Sequence, residues 1–290
     1  MRFGKIAALL VALAVAAEGA GEDWMSRLDG GRSLATLTLP GTHDAGARFE
    51  PLPGTIQCQT LTLGEQLAAG VRFLDIRCRH MRDGFRIYHG SVDQKLTFEE
   101  VLATTLGFLD GHPGETVVMS IKPEHKPAKN TRGFEETFEA YVGQHPDRWW
   151  LAPRVPKLRE ARGKIVLFRR FRAERTPKGI DASVWPDNAV FQSGNLRVQD
   201  VYQVGKAAEK GRQVVSLLDE ARKGPPATWF VNFTSGYRTR AFGLHDIPAV
   251  SKPVHRALRE YLGEHPKGRY GVVLLDLATP DLVRALYETN

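Results

Sequence analysis

The chain has 290 residues, 42% of them hydrophobic and 25% charged, with a formal net charge of +7. That length is enough to bury the core of one larger domain such as an α/β barrel, and no repeat, low-complexity tract or linker divides it. The basic balance suits an anionic membrane surface or a phosphate-bearing substrate, or simply a solvated surface; no nucleic-acid-binding motif accompanies it.

Residues 1–17 have the pattern of an export signal. Arg2 and Lys5 give a positive start, residues 6–17 are apolar, and Val15-Ala16-Ala17 offers a small-residue cleavage site. The stretch falls short of the roughly 20 residues of a spanning helix. The expectation is a signal peptide over 1–17 and a single domain over 18–290. The mature chain would be soluble, secreted or periplasmic, and monomeric. No cysteine follows the apolar stretch, so nothing supports a lipid-modified N-terminus.

The first β-rich run covers residues 34–39 and leads into Pro40-Gly41-Thr42-His43-Asp44. Thr62-Leu63-Gly64-Glu65 is a capping box that predicts a helix start. A second run, 71–77, ends in Asp75-Ile76-Arg77; a third, 85–88, is followed by His89-Gly90. The link between those two is too short for a helical crossover. Thr97-Phe98-Glu99-Glu100 is a second capping box. Further runs at 116–122, 164–169, 196–199, 228–233 and 270–276 are rich in apolar residues, as in strands covered on both faces. Helical spacing marks 134–142, 201–222, 251–262 and 280–287. An α/β barrel of eight strands with some helices missing or reduced accounts for the pattern. Trp149-Trp150 fits either lipid contact or core packing beside Leu151.

Reactive side chains gather at the ends of the runs: His43, Arg77, His89, Lys122, Arg169-Arg170, Asp200 and Asp276. In a barrel those ends meet on one rim, where barrel active sites lie. Two imidazoles flanking a guanidinium form a metal-free kit for attack on a phosphodiester: one takes a proton, the other gives one, and the arginine holds the developing charge. Each histidine needs a carboxylate to fix its tautomer, Asp276 for His43 and Asp44 for His89. Arg77 has Asp75 on the same strand face, as an ion-pair partner or a co-worker at one site. His112 and His145 each precede a proline and suit turns. Cys58 and Cys78 form no metal motif; in an exported chain they predict a disulfide, with two free buried thiols as the other reading.

These residues together resemble the bacterial-type phosphatidylinositol-specific phospholipase C family, the X-box-only form. The resemblance runs through Pro40-Gly41-Thr42-His43-Asp44, Gly70 to Arg77, Tyr88-His89-Gly90, Met119-Ser120-Ile121-Lys122, Gly163 to Arg170, Val198-Gln199-Asp200-Val201-Tyr202 and Leu274-Leu275-Asp276. It implies a distorted, incompletely closed TIM barrel that needs neither metal nor other cofactor. By resemblance His43 is the general base on the inositol 2-hydroxyl, oriented by Asp276. His89 is the general acid to the diacylglycerol oxygen, supported by Asp44, and Arg77 binds the phosphate. Lys122, Arg170, Asp200 and Tyr202 would hold inositol, with Arg169 the alternative to Arg170. The product would be inositol 1,2-cyclic phosphate. The partner is phosphatidylinositol, a glycosyl-phosphatidylinositol anchor or another inositol phosphodiester at a membrane surface. The two cysteines and the loops after Arg170 and before Asp200 depart from the family pattern.

Two alternatives compete. A metal-dependent glycerophosphodiester or sphingomyelin-type barrel would open on His-Arg-Gly, which this chain lacks. A catalytically silent inositol-lipid-binding barrel would not need the set His43, Asp44, Arg77, His89 and Asp276.

Overall fold

The structure, a computed structural model, describes residues 21–290; the expected signal over 1–17 lies outside the described residues. In chain order the strands begin with β1 (Thr38–Thr42), β2 (Phe73–Met81), β3 (Gly84–His89), β4 (Val92–Thr97), β5 (Val117–Pro123), β6 (Trp149–Trp150) and β7 (Ile165–Arg169). There follow β8 (Ile180–Asp181), β9 (Ala189–Ser193), β10 (Leu196–Asp200), β11 (Trp229–Phe233), β12 (Arg238–Thr239), β13 (His245–Asp246) and β14 (Gly271–Leu275). The helices are α1 (Leu63–Ala69), α2 (Phe98–Gly111), α3 (Phe134–Gln144), α4 (Leu158–Ala161), α5 (Ala207–Lys223), α6 (Pro248–Glu264) and α7 (Pro280–Tyr287).

Seven parallel strands lie in the order β7-β5-β2-β1-β14-β11-β10, with the short β6 and β8 beside β7 and the antiparallel β9 closing the far edge. Among the described residues no ladder joins β9 back to β6 or β8, so the sheet is a barrel left open on one side. Strands β1, β7, β11 and β14 are buried along their whole length, and the mostly apolar sequences of β7, β11 and β14 suit burial on both faces. One apolar cluster runs from Trp24 to Tyr287.

Both capping boxes form. Thr62 and Thr97 accept the amide of Glu65 and Glu100, and each glutamate carboxylate returns to the cap amide. The left-handed Gly70 (φ +109) then ends α1, where a Cβ would meet the Tyr287 ring at 2.7 Å.

Three expectations about strands and helices need correction. The run at 34–39 starts as a 3-10 turn, Leu34–Thr36, because Ser33 accepts the Ala35 amide and the Thr36 hydroxyl donates to the Ser33 carbonyl; the strand begins only at Thr38. The run at 85–88 is no barrel strand. β2 overshoots the rim, turns at Arg82-Asp83, and β3 returns antiparallel, pairing Ile87 with Cys78. The helix expected from 201 starts at Ala207, because Asn188 accepts the amides of Tyr202 and Gln203 and holds them out of a helix. Trp149 packs edge-on against Phe138 and is buried; β6 meets the first residues of β7, so both tryptophans lie at the base of the barrel rather than at its rim.

A buried cation ties that base together. Arg72 donates to the Glu115 carboxylate at 2.8 Å and to the carbonyls of Leu67, Val71, Gly21 and Glu22, while Phe108 covers its face at 4.6 Å. Its fork is saturated, the condition under which a buried guanidinium is tolerated.

The expected Cys58–Cys78 disulfide is absent: both cysteines are free and buried. Strand alternation separates them. Arg77 lines the rim cavity, so its neighbour Cys78 faces the outer layer with the main core. Cys58 instead lies under the rim beside His89 and packs with Ala47 and Ile247. Unreduced, denatured protein should therefore titrate two thiols with a disulfide-exchange reagent, and reductant should leave the urea midpoint unchanged. A lower midpoint in reductant would restore the bridge.

Candidate active site

Every strand-end residue singled out above reaches one cavity of about 650 Å³, except Arg169 and the buried Asp44. His43 leaves β1 as its amide bonds the Leu275 carbonyl of β14. That register sets the His43 ring beside Asp276, with Nδ1 at 2.7 Å from Oδ1. The other oxygen of Asp276 accepts the Gly236 amide at 3.2 Å. With Nδ1–H donated to the carboxylate, Nε2 carries the free lone pair, and Arg77 Nη2 donates to it at 2.7 Å.

Asp44 follows in a left-handed conformation (φ +40), a strain worth about 1 kcal/mol or more for a non-glycine residue. Its amide donates to Asp75 and the next amide, Ala45, to the Asp75 carbonyl. The turn thereby sends the Asp44 carboxylate inward, fully buried, to 2.9 Å from His89 Nδ1 and 3.7 Å from Arg77 Nε. His89 comes back to the rim on β3, the antiparallel return described above. The two imidazoles thus each own a carboxylate and flank one guanidinium.

Beneath them lies Asp75, wholly buried, at 3.2 Å from Arg77 and 3.8 Å from Arg170, with the Ser120 hydroxyl donating at 3.1 Å. Although burial opposes it, the charges of Arg77, Arg170, His43 and Lys122 hold this carboxyl well below its usual range. Lys122 is pushed down by Arg77 and by burial, and pairs with Glu124 at 3.4 Å. Glu124 also accepts the Gly90 amide and so anchors the turn after His89.

Arg170, not Arg169, reaches the cavity. The Arg170 guanidinium lies on the Trp185 ring at 3.7 Å, whereas Arg169 turns the other way to Asp181 and the carbonyls of Lys178 and Phe171. Trp185 donates to Asp200 at 2.9 Å. Tyr202 donates to Asp187, and burial together with that carboxylate raises its hydroxyl to about 12. Trp185, Asp187 and Glu124 were not picked out from sequence, and Cys58 only as half of a disulfide. Glu124 was the most accessible, two residues past Lys122; Trp185 and Asp187 sit in a loop without strand or helix period.

Asp200 and Tyr202 stand on a buried amine. Lys210 at the start of α5 donates to Gln199 Oε1 at 2.9 Å and to the Val201 carbonyl at 2.5 Å, the residues on either side of Asp200. Burial lowers its pKa to about 7, against opposing attraction from Asp200 and Asp276. An unfolded chain restores the ordinary lysine value, so from pH 7 up to about 10 the unfolded state binds the extra proton and folding gains with pH. Relative to Lys210→Met, the wild type should therefore gain a few kcal/mol of unfolding free energy between about pH 6.5 and 9.5. Parallel urea midpoints for the two proteins would contradict this.

Residues 54–171 match the family model described as phosphatidylinositol-specific phospholipase C, X domain. The chain is 35% identical, over a 302-residue alignment covering 93% of it and 94% of the relative, to a 1-phosphatidylinositol phosphodiesterase of Staphylococcus aureus (strain Newman). A 1-phosphatidylinositol phosphodiesterase of Listeria monocytogenes is 26% identical over 280 residues, 93% of this chain and 85% of the relative. The crystal structure of a pentafluoro-Phe incorporated phosphatidylinositol-specific phospholipase C from Staphylococcus aureus superposes with a TM-score of 0.84 at 28% identity, over 94% of this chain and 99% of that one. The Listeria monocytogenes phosphatidylinositol-specific phospholipase C shares the fold, with a TM-score of 0.75 over 93% of this chain and 98% of that one. On the strength of the whole-length likeness, the chain belongs to the phosphatidylinositol-specific phospholipase C family.

Proposed function

We propose that the protein is a phosphatidylinositol phosphodiesterase that cleaves its substrate by internal transfer, releasing diacylglycerol and inositol 1,2-cyclic phosphate. The observation that carries this is the pair of histidine–carboxylate couples joined by Arg77, which bonds His43 of one and lies 3.7 Å from Asp44 of the other. His43 Nε2 takes the proton of the inositol 2-hydroxyl, whose oxygen attacks phosphorus. His89 Nε2–H protonates the departing diacylglycerol oxygen, and Arg77 holds the charge that builds on the phosphoryl oxygens. The nucleophile is already part of the substrate, so proximity contributes much of the acceleration. Slower ring opening by water uses the same histidines in exchanged roles. Lys122, Arg170, Asp200 and Tyr202 supply hydrogen bonds and an aromatic face for the inositol ring. A hard divalent cation wants several oxygen ligands, and Arg77 and Lys122 beside the reacting centre disfavour it there.

The substrate lies in a membrane, and the rim carries groups suited to one. Residues 238–244 form an exposed hairpin whose tip, Phe242, is wholly exposed, with Leu244, Arg238 and Arg240 around it. Beside it runs the loop bearing Leu52, whose backbone is organised by Glu50 accepting four amides, from Gly54, Thr55, Ile56 and Gln57; Ile247 donates to the Gly54 carbonyl and joins the two segments. Apolar tips flanked by arginines match an anionic bilayer surface. One chain supplies every group named, so a monomer suffices. Export directed by residues 1–17 would place the enzyme outside the cytoplasm; no helix among the described residues is long and apolar enough to cross a membrane.

His43→Ala and His89→Ala should each lower turnover of phosphatidylinositol by about 10²–10⁴-fold or more. Arg77→Lys should also be damaging, since an ammonium lacks the planar fork. Phosphorus NMR of a digest should show the cyclic phosphate first, at the same rate with and without EDTA. Activity lost to chelation and restored by calcium, or an acyclic first product, would sink the mechanism. No turnover at all by the wild type would favour a silent binder.

Phe242→Ser should weaken binding to vesicles containing anionic lipid while leaving cleavage of a soluble inositol phosphodiester unchanged. Equal loss on both substrates would mean that the hairpin acts on the site rather than on the membrane.

A further inference from the structure

Cys58 lies where the two histidine–carboxylate couples approach each other. The thiol is fully buried, with Sγ at 3.5 Å from His89 Nδ1. Its place is set by main chain on both sides: the Cys58 amide donates to the Ala47 carbonyl, and the Leu277 amide donates to the Cys58 carbonyl. The Asp44 carboxylate, also fully buried, has no hydrogen-bond partner of good geometry on either oxygen. A thiol sulfur, an imidazole nitrogen and a carboxylate oxygen therefore converge from three separate segments, all within 4.8 Å of one another. Cys58 makes a similar group with His43 and Asp276, but there the carboxylate is already engaged by His43 and by the Gly236 amide.

We propose that Asp44, Cys58 and His89 form a binding site for a borderline-soft divalent cation, Zn²⁺ or Cd²⁺, and that its occupation switches the enzyme off. Zinc takes sulfur at about 2.3 Å and imidazole nitrogen or carboxylate oxygen at about 2.0–2.2 Å, so neighbouring ligand atoms in its shell stand roughly 3.3–3.7 Å apart. Here His89 Nδ1 is 2.9 Å from Asp44 and 3.5 Å from Cys58, so small adjustments suffice. The mixed sulfur, nitrogen and oxygen set selects against calcium and magnesium, which want oxygen.

Charge balance allows the ion to sit near Arg77. When His89 is the imidazolium required of a general acid, the metal displaces two protons to solvent, one from the thiol and one from Nδ1. The +2 of the ion replaces the +2 of those protons, so Arg77 meets no added charge. Thiol and imidazolium must each give up a proton to the solvent when the metal binds, so binding strengthens as pH rises. With metal on Nδ1, His89 becomes a neutral imidazole that has lost its acidic form, and leaving-group protonation fails.

The inhibitory consequence rests on the acid role of His89 proposed above; the binding site does not, and the two are read separately. Full-length protein freed of metal by EDTA is titrated with Cd²⁺ while the ultraviolet thiolate-to-metal absorption is followed. The expected result is one Cd²⁺ per chain with a thiolate band that is stronger at higher pH, lost in Cys58→Ser and in His89→Ala, and kept in His43→Ala. Cys58→Ala replaces the serine variant if that one folds poorly. In the activity arm, Zn²⁺ should inhibit phosphatidylinositol cleavage reversibly with EDTA. Cys58→Ser, with inhibition normalised to its own metal-free rate, should need about 100-fold more Zn²⁺, since even outer-shell losses cost 10–100-fold in affinity. No thiolate band in the wild type, or a band that survives His89→Ala, overturns the site. A wild-type band without inhibition overturns its link to the acid and leaves the binding set standing.

Discussion

Asp75 is the constraint on which the rest of the site depends. A carboxylate taken wholly out of water is stable only if its charge is answered nearby. Here it is answered by Arg77 and Arg170, by the Ser120 hydroxyl and by the Asp44 amide. Each of those partners serves the site in turn. Arg77 is held against the His43 ring and beside the Asp44 carboxylate, Arg170 lies over Trp185, and the turn carrying His43 and Asp44 is pinned to β2. Asp75 thereby fixes the positions of two of the three cations, Arg77, Arg170 and Lys122, that line the cavity.

The two histidines reach the cavity by different constructions. His43 depends on three adjacent parallel strands: β1 carries it, β14 carries Asp276, and β2 carries Arg77. Gln59 braces that arrangement, since its amide donates to the His43 and Leu275 carbonyls and its oxygen accepts the Ala278 amide. His89 depends on a hairpin that leaves the barrel and returns, anchored through Gly90 to Glu124. His43 is therefore built into the middle of the parallel sheet and His89 into an appendage of it. Cys58 lies at the junction between them, which is why a thiol with no place in the proposed reaction borders both couples.

The open side of the barrel has a related consequence. A closed ring of eight strands and eight helices would surround the cavity with loops of similar height. Here β9 ends the sheet, and the loop after β7 supplies Trp185 and Asp187 as one wall. The opposite wall is the hairpin of β12 and β13, where His245 stacks on Tyr237 at 3.6 Å. Its tip, Phe242, is wholly exposed, and on that exposure the proposed docking to a lipid surface rests.

Much of this was legible in the residues alone. Apolar runs mark the parallel strands because those strands are covered on both faces, where a polar side chain survives only with a partner, as Asp75 and Ser120 do. The capping boxes at Thr62 and Thr97 are legible because their bonds are local. The reactive residues stand out because a barrel gathers strand ends onto one rim, whatever their separation in sequence. What escaped were features whose cause lies elsewhere in the chain. β4 and β9 are short, partly polar edge strands that exist through pairing rather than composition. Trp185 and Asp187 gain meaning only from Arg170, Asp200 and Tyr202 across the cavity. The cysteines invite a bridge by compartment, yet strand alternation turns Cys78 away from the cavity under which Cys58 lies. The sequence by itself determined the parallel strands, the helix starts and the set of reactive side chains, because these follow from local bonding and from what can be buried. Only the tertiary structure decided how His89 returns to the rim, which arginine faces inward and which thiol meets which histidine, because those depend on register and strand direction, and neither is written in any single stretch of residues.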